Sequence, residues 1–456
     1  MSGARLRVWC ASLCGAALPV LASACDDTDS ARQPDAVVAK VSDNIATVVH
    51  VSWRTEEPSI GYLEYGPTPG MQLHTPLEAE ATTEHSQDLL GLQSDTEYFF
   101  RVVTWENGAA AASGRQSVHT GDLPVGVPRL TLRGEGHDQF ILVPVLGSRT
   151  AVTILDPEGK IVWYHTDDRD LDFYRVRLSL DGKSLIYNAA SVSGDPADNS
   201  ELVRVALDGS SSSSIAIPLL AHDFVELPDG TLATIVVEYR DFDGMSLRGD
   251  KIVEVSPDGE IKTVWSAWDC FDPSEWRGDD IEHGWTFANA LDYDAADDAY
   301  LLGMRNFSSI TKIDRGSGAC EWVLGLSAAT FEFAQGSSQF LHQHQFELRG
   351  DRILIMDNDG ASGNESRVLE YELDFENRTA REVWSYRADP TVYTFVLGEP
   401  NRLDDGSTFI NWSTAGQMER VTADGESIWK LNSNAGAAFG FHTLARSLYR
   451  ADARMP

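Results

Sequence analysis

The segment "SPDGEIKTVW" (residues 256–265) decides the predicted fold. A Pro-Asp-Gly turn leads into an apolar-polar alternation that ends in a tryptophan, a pattern typical of a β-hairpin. Comparable turns recur along the chain at Asp156, Asp208, Asp258, Asp314, Asp374 and Asp424, which are 52, 50, 56, 60 and 50 residues apart. A tryptophan ends five of these hairpins: Trp163, Trp265, Trp322, Trp384 and Trp429.

A second type of hairpin lies between these turns, for example "LSLDGKSLIYN" (178–188) and "RLDDGSTFINW" (402–412). Two hairpins per period of about fifty residues give four strands per unit, which is the signature of a propeller blade. The sequence therefore predicts an all-β chain with a six-bladed β-propeller over residues 130–456. A strand near residue 130 is expected to close the ring by pairing with the last blade.

Residues 36–121 have a different pattern of short alternating strands. In "LLGLQSDTEYFFRV", Leu92 precedes Tyr98 by six residues, and Tyr98 begins a strand. This spacing resembles the tyrosine corner of fibronectin type III-like sandwiches, in which the phenol ties its strand to an upstream turn. We expect a small β-sandwich here, joined to the propeller by a Pro- and Gly-containing linker at 122–129. Such modules are usually spacers or docking units.

The chain of 456 residues carries a formal net charge of −34. Nucleic acid is excluded as a partner because phosphate binding needs basic patches, and electrostatic attraction to anionic membranes is disfavoured. A small anionic substrate remains compatible with this charge if a local cation lies in its site.

The N-terminus has the pattern of an export signal over residues 1–24. Arg5 and Arg7 precede an apolar stretch of small residues, which is too short for a lasting membrane span. "LASAC" (21–25) resembles a lipoprotein cleavage box, with Cys25 as the acylated residue and 25–35 as a tether. We expect a protein exported to the periplasm or cell surface and anchored by lipid at Cys25. Plain secretion is the alternative.

Two further cysteines remain in the exported part, Cys270 and Cys320. In an oxidising compartment they can form a disulfide, and two free buried thiols are the alternative.

Alignment of the second hairpin type places polar residues at matching positions of successive blades. Where inner strands begin, these are Tyr174, His222, residues 283–289 ("HGWTFAN"), His344 and Glu399. Where the neighbouring strands end, they are Asn188, Glu238, Arg305, Asp357 with Asn358, and Asn411. Since equivalent positions of a propeller form a ring around its axis, these residues predict a polar funnel at one end of the channel.

The residue types in this ring restrict its chemistry. A neutral imidazole can attack an electrophile or carry a proton, and Arg305 offers a planar fork for a sulfate, phosphate or carboxylate. Oxyanion transfer is therefore favoured. A metal bound by two or three of the histidines is the rival interpretation.

Several stretches resemble the bacterial arylsulfate sulfotransferases: "WTFANALDYDAADDAYLLGMRNFSSITKIDRGSGACEWVLG", "QHQFEL…ILIMDNDG", "RVLEYELD" and "FGFHTLARSLY". The resemblance covers residues from about 127 to 450. It implies an exported six-bladed propeller that moves a sulfuryl group from a phenolic sulfate ester to a phenol. The reaction it implies is ping-pong through a sulfohistidine, with no cofactor and no nucleotide sulfate donor.

The resemblance also assigns roles to individual residues. His344 in "QHQF" takes the place of the nucleophile, and Arg305 in "GMRNFSS" takes that of the sulfate-binding arginine. His222 in "AHDFVELPDG" matches a histidine that holds sulfate oxygens, and Asn289 in "FANA" matches the asparagine of a His-x-Asn motif. Asn358 is a further substrate-binding candidate.

One position departs from the family pattern "WTHxN". Phe287 stands where the family has histidine, and a phenyl ring neither donates a hydrogen bond nor protonates a departing phenoxide. The loss of such a group typically lowers the rate by about 100-fold or more. His283 and His342 are the candidate substitutes. Phe287 and Trp285 are candidates to stack on an aryl ring.

Three functions follow as hypotheses. The first is an exported aryl sulfotransferase that uses a small aromatic sulfate as donor and a phenol as acceptor. Its activity would be impaired by Phe287. The second is a non-catalytic propeller lipoprotein that binds a ligand or a protein. The third is a different propeller enzyme, such as a metal-dependent hydrolase or lyase.

Overall fold

The computed structural model describes residues 33–106, 108–127, 130–134, 137–147, 150–166, 171–190, 198–277, 284–360, 364–433, 437–450 and 454. Regular structure in these residues is almost entirely β. The helical elements are α1 (Ala267–Cys270) and the 3-10 turns Pro273–Glu275 and Ser413–Ala415. No helix within these ranges is long and apolar enough to span a bilayer.

The first seven strands form an N-terminal module: β1 (Asp35–Val41), β2 (Val49–Gly66), β3 (Leu73–His74), β4 (Thr82–Leu89), β5 (Glu97–Glu106), β6 (Ala109–Ala112) and β7 (Gln116–His119). Strand β2 is long enough to serve two layers. Its first part pairs with β1 and β4, and its second part pairs with β3 and β5. Trp53, Leu63 and Phe100 are buried in the core of the module.

The phenol of Tyr98 accepts a hydrogen bond from the backbone N–H of Gln93 at 2.9 Å. This bond ties β5 to the turn that precedes it, as a tyrosine corner does. The fibronectin type III-like assignment of the module stays a prediction.

The strands of the propeller, in chain order, are β8 (Leu130–Gly134), β9 (Phe140–Leu146), β10 (Ala151–Leu155), β11 (Ile161–Thr166), β12 (Asp172–Leu178), β13 (Ser184–Ala190), β14 (Glu201–Ala206), β15 (Ser212–Ala216), β16 (Leu220–Glu226), β17 (Leu232–Phe242), β18 (Met245–Val255), β19 (Ile261–Ser266), β20 (Ala288–Asp294), β21 (Ala299–Met304), β22 (Ser309–Asp314), β23 (Cys320–Gly325), β24 (Glu332–Phe333), β25 (Phe346–Arg349), β26 (Arg352–Asp357), β27 (Arg367–Asp374), β28 (Thr379–Tyr386), β29 (Glu399–Arg402), β30 (Thr408–Asn411), β31 (Gln417–Val421), β32 (Ser427–Ser433), β33 (Ala438–Phe439) and β34 (Thr443–Ala445).

These strands form six blades, which confirms the predicted propeller. From the axis outwards, the blades are β33 and β34 with β9-β10-β11, then β12 to β15, β16 to β19, β20 to β23, β25 to β28, and β29 to β32. The chain closes the ring at both ends. Strands β33 and β34 pair with β9 of the first blade, and β8 pairs with β32 of the sixth.

The aspartate turns join the third and fourth strands of each blade, and the recurring tryptophans lie in the outermost strand. Trp163 in β11 donates its indole N–H to the carbonyl of Leu207 in the second blade at 2.8 Å. Trp384 in β28 makes the equivalent bond to Ala423 in the sixth blade at 2.9 Å. These two tryptophans each fasten one blade to the next, whereas the indole N–H groups of Trp265 and Trp429 are buried with no hydrogen-bond partner.

A buried ion network lies where the inner strands meet. Asp223 of β16 accepts hydrogen bonds from Arg175 Nε at 3.0 Å, from the Leu291 N–H at 3.0 Å and from Gln345 Nε2 at 2.7 Å. These partners come from the second, fourth and fifth blades. Asp223, Arg175 and Glu399 are almost fully buried.

Glu399 of β29 extends the network to the two remaining blades. Its carboxylate accepts a hydrogen bond from Arg175 Nη1 at 2.9 Å and another from the backbone N–H of His442 at 2.8 Å. His442 lies between β33 and β34, and Arg175 Nη1 also donates to its carbonyl at 2.6 Å. All six blades therefore contribute to one set of hydrogen bonds, which we call the axial ion network.

The N-terminal module packs directly on the first blade. Ile45, Val48 and Leu90 belong to the same buried apolar cluster as residues of β9 to β11. Thr47 Oγ1 donates to the Val162 carbonyl at 2.8 Å, and the sequence did not predict this contact.

Cys270 and Cys320 are joined by a disulfide, with their Cα atoms 6.4 Å apart. The bond connects α1, which follows the third blade, to the outermost strand of the fourth. Cys25 and residues 1–24 lie outside the described residues.

Removal of one carboxylate from the axial ion network tests its contribution to stability. We expect Asp223→Ala to lower the free energy of unfolding by about 3–5 kcal/mol, because it leaves the buried Arg175 guanidinium incompletely balanced. The measurement is denaturant-induced unfolding. Asp43→Ala is the control, since its ion pair with Lys40 is exposed and we expect essentially no change. Equal unfolding midpoints for both variants would contradict this role of the network.

Candidate active site

The segment that carries His344 is anchored on both sides by glutamine amides. Gln343 Nε2 donates to the carbonyl of Met304 in the fourth blade at 3.1 Å, and Gln345 Nε2 donates to Asp223 in the third. All three residues of the segment are buried, and His344 has no exposed surface. The backbone at His344 is thus fixed by bonds to two other blades.

The hydrogen bonds of Asn358 determine the tautomer of His344. Asn358 Nδ2 donates to the carbonyls of Thr394 at 2.7 Å and Leu397 at 2.9 Å, so its Oδ1 is the atom that faces His344 Nδ1 at 2.8 Å. An amide oxygen only accepts, so Nδ1 must carry the proton. The lone pair of the neutral ring is therefore on Nε2, which is buried and has no hydrogen-bond partner.

Arg305 lies close to both site histidines. Burial, with the charge of Arg305 as the next cause, lowers the pKa of His344 well below its usual value. Burial also lowers the pKa of His222 to about 3, with further contributions from Arg248 and Arg305. Both imidazoles are therefore neutral near pH 7, as a nitrogen nucleophile requires.

The ring of Phe287 lies at the centre of this group. Its centroid is 5.1 Å from that of His222, 4.7 Å from Arg248 Cζ and 5.9 Å from Arg305 Cζ. The face of a phenyl ring attracts a guanidinium through its quadrupole. Phe287 therefore packs against the cationic groups of the site, where a histidine at the same position would offer a hydrogen bond.

Arg248 is a site residue that the sequence did not reveal. It lies in β18, is 4% exposed, and its charge acts on His222. An arginine in an alternating strand ordinarily indicates a solvent-facing position, and the repeat gave no aligned counterpart.

The remaining predicted funnel residues mostly bind backbone. Asn289 Nδ2 donates to the Gln343 carbonyl at 2.8 Å, while its Oδ1 is buried with no hydrogen-bond partner. Asn188 Nδ2 donates to the His222 carbonyl at 2.7 Å. Asn358, in turn, uses both ends of its amide inside the protein and positions His344. These asparagines each connect one blade to the next.

Two other expectations were that His283 substitutes for the missing family histidine and, as a rival interpretation, that histidines bind a metal. His283 lies outside the described residues. In the part of the chain that the structure describes, no group of three or more His, Cys, Asp or Glu side chains is arranged to hold a metal ion.

Several solved structures match this chain at low similarity. A Bacteroides caccae protein of unknown function is 15% identical, covers 68% of this chain and 100% of its own, and gives a TM-score of 0.46. A streptogramin B lyase is 12% identical, with coverage of 67% and 98% and a TM-score of 0.39. An auxiliary nutrient-binding protein from Bacteroides ovatus is 9% identical, with coverage of 89% and 90% and a TM-score of 0.40. None of these similarities bears on activity.

Comparison with curated proteins gives no match. The sequence model of the arylsulfotransferase (ASST) family matches residues 132–439, which include strands of all six blades and every described site residue. The match extends over more than half of the chain, and the chain therefore belongs to the arylsulfotransferase family.

Proposed function

We propose that this protein is an exported aryl-sulfate sulfotransferase that uses His344 as its nucleophile. Membership of the family supports aryl sulfotransferase activity in general. The observation that carries the proposal is the state of His344, a buried neutral imidazole with Nδ1–H held by Asn358 and Nε2 without a partner beside the Arg305 guanidinium. This is the arrangement expected of an activated nitrogen nucleophile next to an anion-binding group.

In the first half-reaction, His344 Nε2 attacks the sulfur of a phenolic sulfate ester. The bond between sulfur and the aryl oxygen breaks, its electron pair leaves with that oxygen, and a proton from a neighbouring acid completes the phenol. Arg305 and the N–H of neutral His222 hold the sulfate oxygens and stabilise the charge that develops on them. The product on the enzyme is a sulfohistidine at His344.

In the second half-reaction, another phenol enters after the first has left. Its oxygen attacks the sulfur, the N–S bond of the sulfohistidine breaks, and the electron pair returns to Nε2. The phenolic proton passes to a base at the site. One site thus serves donor and acceptor in turn, which gives ping-pong kinetics.

We also propose that the protein works outside the cytosol, lipid-anchored at Cys25 and in the periplasm or at the cell surface. The N-terminal export pattern supports this location, and the disulfide between Cys270 and Cys320 suits an oxidising compartment. Labelling of cells with a radioactive fatty acid tests the anchor. Label that persists in a Cys25→Ser variant would rule it out.

A second candidate function is ligand binding without catalysis. The observation that favours it is Phe287, whose ring contacts both arginines and His222 and supplies no proton. A propeller of this kind would bind a small aromatic anion at the same site and transfer nothing. The experiments below separate the two functions.

Incubation with 4-nitrophenyl sulfate in the absence of an acceptor should sulfonate His344. We expect mass spectrometry to find one sulfuryl group on the peptide that contains His344, with an equimolar burst of nitrophenol. His344→Ala should show neither. His137→Ala is the matched control, because His137 is also a buried imidazole but packs against Phe409 and Trp429. A burst that survives in His344→Ala, or no sulfonated peptide in the wild type, would refute the proposal.

Restoration of the family histidine should increase activity. Phe287 has a φ of 47°, a region that histidine tolerates better than phenylalanine, so Phe287→His suits the backbone. We expect kcat/KM for aryl sulfates to rise by about 10- to 100-fold, because the imidazole adds a hydrogen bond to the sulfate or the leaving oxygen. Phe375→His, in an exposed turn, is the control. Unchanged or lower activity in Phe287→His would show that this position does not limit the reaction.

The lowered pKa of His344 predicts how sulfonation depends on pH. A histidine with lowered pKa stays neutral as the pH falls through 6.5, and loses its lone pair only below its own pKa. We expect single-turnover sulfonation by 4-nitrophenyl sulfate to change by less than about 2-fold between about pH 7 and pH 5.5, where an ordinary histidine would lose about 8-fold. A decline with an apparent pKa near 6.5 would contradict the buried neutral nucleophile.

A further inference from the structure

The proposed reaction needs a group that gives a proton to the departing phenol oxygen. Phe287 has no proton to give, and the lowered pKa values of His222 and His344 leave neither imidazole protonated near neutral pH. A protonated acid must therefore come from elsewhere in the site.

His342 lies on the same loop as the nucleophile and is tied to the turn that carries Arg305. Its backbone N–H donates to Ser308 Oγ at 3.2 Å, and the Ser308 N–H donates to the Arg305 carbonyl at 3.0 Å. These two bonds join the backbone of His342 to the turn that carries Arg305, and the charge of Arg305 also acts on Asp359, the hydrogen-bond partner of His342.

The imidazole of His342 is oriented by a carboxylate. His342 Nδ1 hydrogen-bonds to Asp359 Oδ2, and the Tyr393 hydroxyl donates to Asp359 Oδ1 at 3.0 Å. The carboxylate thus binds one edge of the ring and leaves Nε2 on the opposite edge. A carboxylate that orients an imidazole and balances its positive charge is the arrangement by which a histidine serves as acid and base.

The charges around this pair suit proton transfer. Burial would raise the pKa of Asp359, but the hydrogen bond and charge of His342, together with Tyr393 and Arg305, keep it below its usual value. Asp359 is therefore ionised near neutral pH and can accompany an imidazolium. The side chain of His342 is 14% exposed, so solvent reaches it, whereas His344 has no exposed surface.

We propose that His342, positioned by Asp359, is the general acid and base that replaces the family histidine missing at position 287. The inference rests on the proposed function and adds a catalytic residue to it. As His344 Nε2 bonds to sulfur and the bond between sulfur and the aryl oxygen breaks, His342 Nε2 gives its proton to that oxygen. In the second half-reaction, His342 takes the proton of the incoming phenol as its oxygen bonds to sulfur and the N–S bond breaks.

The test compares donors whose leaving phenols differ in acidity. A strongly acidic phenol such as 4-nitrophenol leaves without much help, whereas unsubstituted phenol needs a proton. The variant is His342→Asn, because His342 has a φ of 51° and asparagine accepts that backbone conformation. We expect sulfonation of His344 by phenyl sulfate to fall by about 100-fold or more and sulfonation by 4-nitrophenyl sulfate to fall by less than about 10-fold.

Two further variants separate proton transfer from structural effects. His50→Asn is the matched control, because His50 Nδ1 also contacts a carboxylate, Asp88 Oδ1 at 2.5 Å, in the N-terminal module. We expect it to leave both rates unchanged. In His342→Gly, glycine also suits the positive φ, and added imidazole should restore part of the phenyl sulfate rate.

The outcomes distinguish this inference from the function on which it rests. Equal losses with both donors in His342→Asn, or no loss with either, would overturn the role of His342 while leaving sulfonation of His344 intact in the wild type. No sulfonation of wild-type His344 by either donor would overturn the proposed function, and the role of His342 with it.

Discussion

The axial ion network is the constraint on which the rest of the propeller depends. Arg175, Asp223 and Glu399 are charged groups almost fully removed from water, and burial of each ion costs several kcal/mol unless its hydrogen bonds are satisfied. All six blades supply the hydrogen bonds to these buried charges, through two arginine–carboxylate contacts, a glutamine amide and backbone groups. Since a displaced blade would leave one of these charges short of a partner, the network favours one arrangement of blades about the axis.

The same network determines where the candidate nucleophile lies. Gln345 donates a hydrogen bond to Asp223 of the third blade, and Gln343 donates one to the fourth. The position of His344 between them therefore depends on how these blades are arranged about the axis. Asn358 then fixes the tautomer of the His344 imidazole, and Asn358 is itself held by a hydrogen bond to the segment that leads into the sixth blade. A residue placed in this way needs little reorganisation before it reacts, which is how rigid scaffolds contribute to catalysis. The N-terminal module packs on the first blade and also donates hydrogen bonds to Asp208 and Gly209 of the second.

The sequence predicted those features that repeat locally. Turn chemistry around Asp258 and its counterparts, with the tryptophan of each outer strand, predicted the blades because each hairpin carries its own signal. From matching positions in the repeat, His222, Arg305 and His344 were then expected to lie at the same end of the channel. Arg175, Arg248 and the docking surface around Thr47 escaped prediction because a charged or polar residue in an alternating strand looks the same whether it faces water or a partner far along the chain. The amides at Asn188 and Asn358 were expected to line the funnel, and their bonds to the next blade depend on distances that no linear pattern contains.

In the proposed reaction, His344, His222 and Arg305 surround one sulfuryl group. The decisive measurement is a crystal structure of the His344→Asn variant, which lacks the nucleophile, with phenyl sulfate bound. We expect the sulfur to face residue 344, about 3–3.5 Å from the position of the missing Nε2, with sulfate oxygens bonded to Arg305 and His222. A phenyl sulfate bound elsewhere, or one whose sulfate faces away from residue 344, would contradict it.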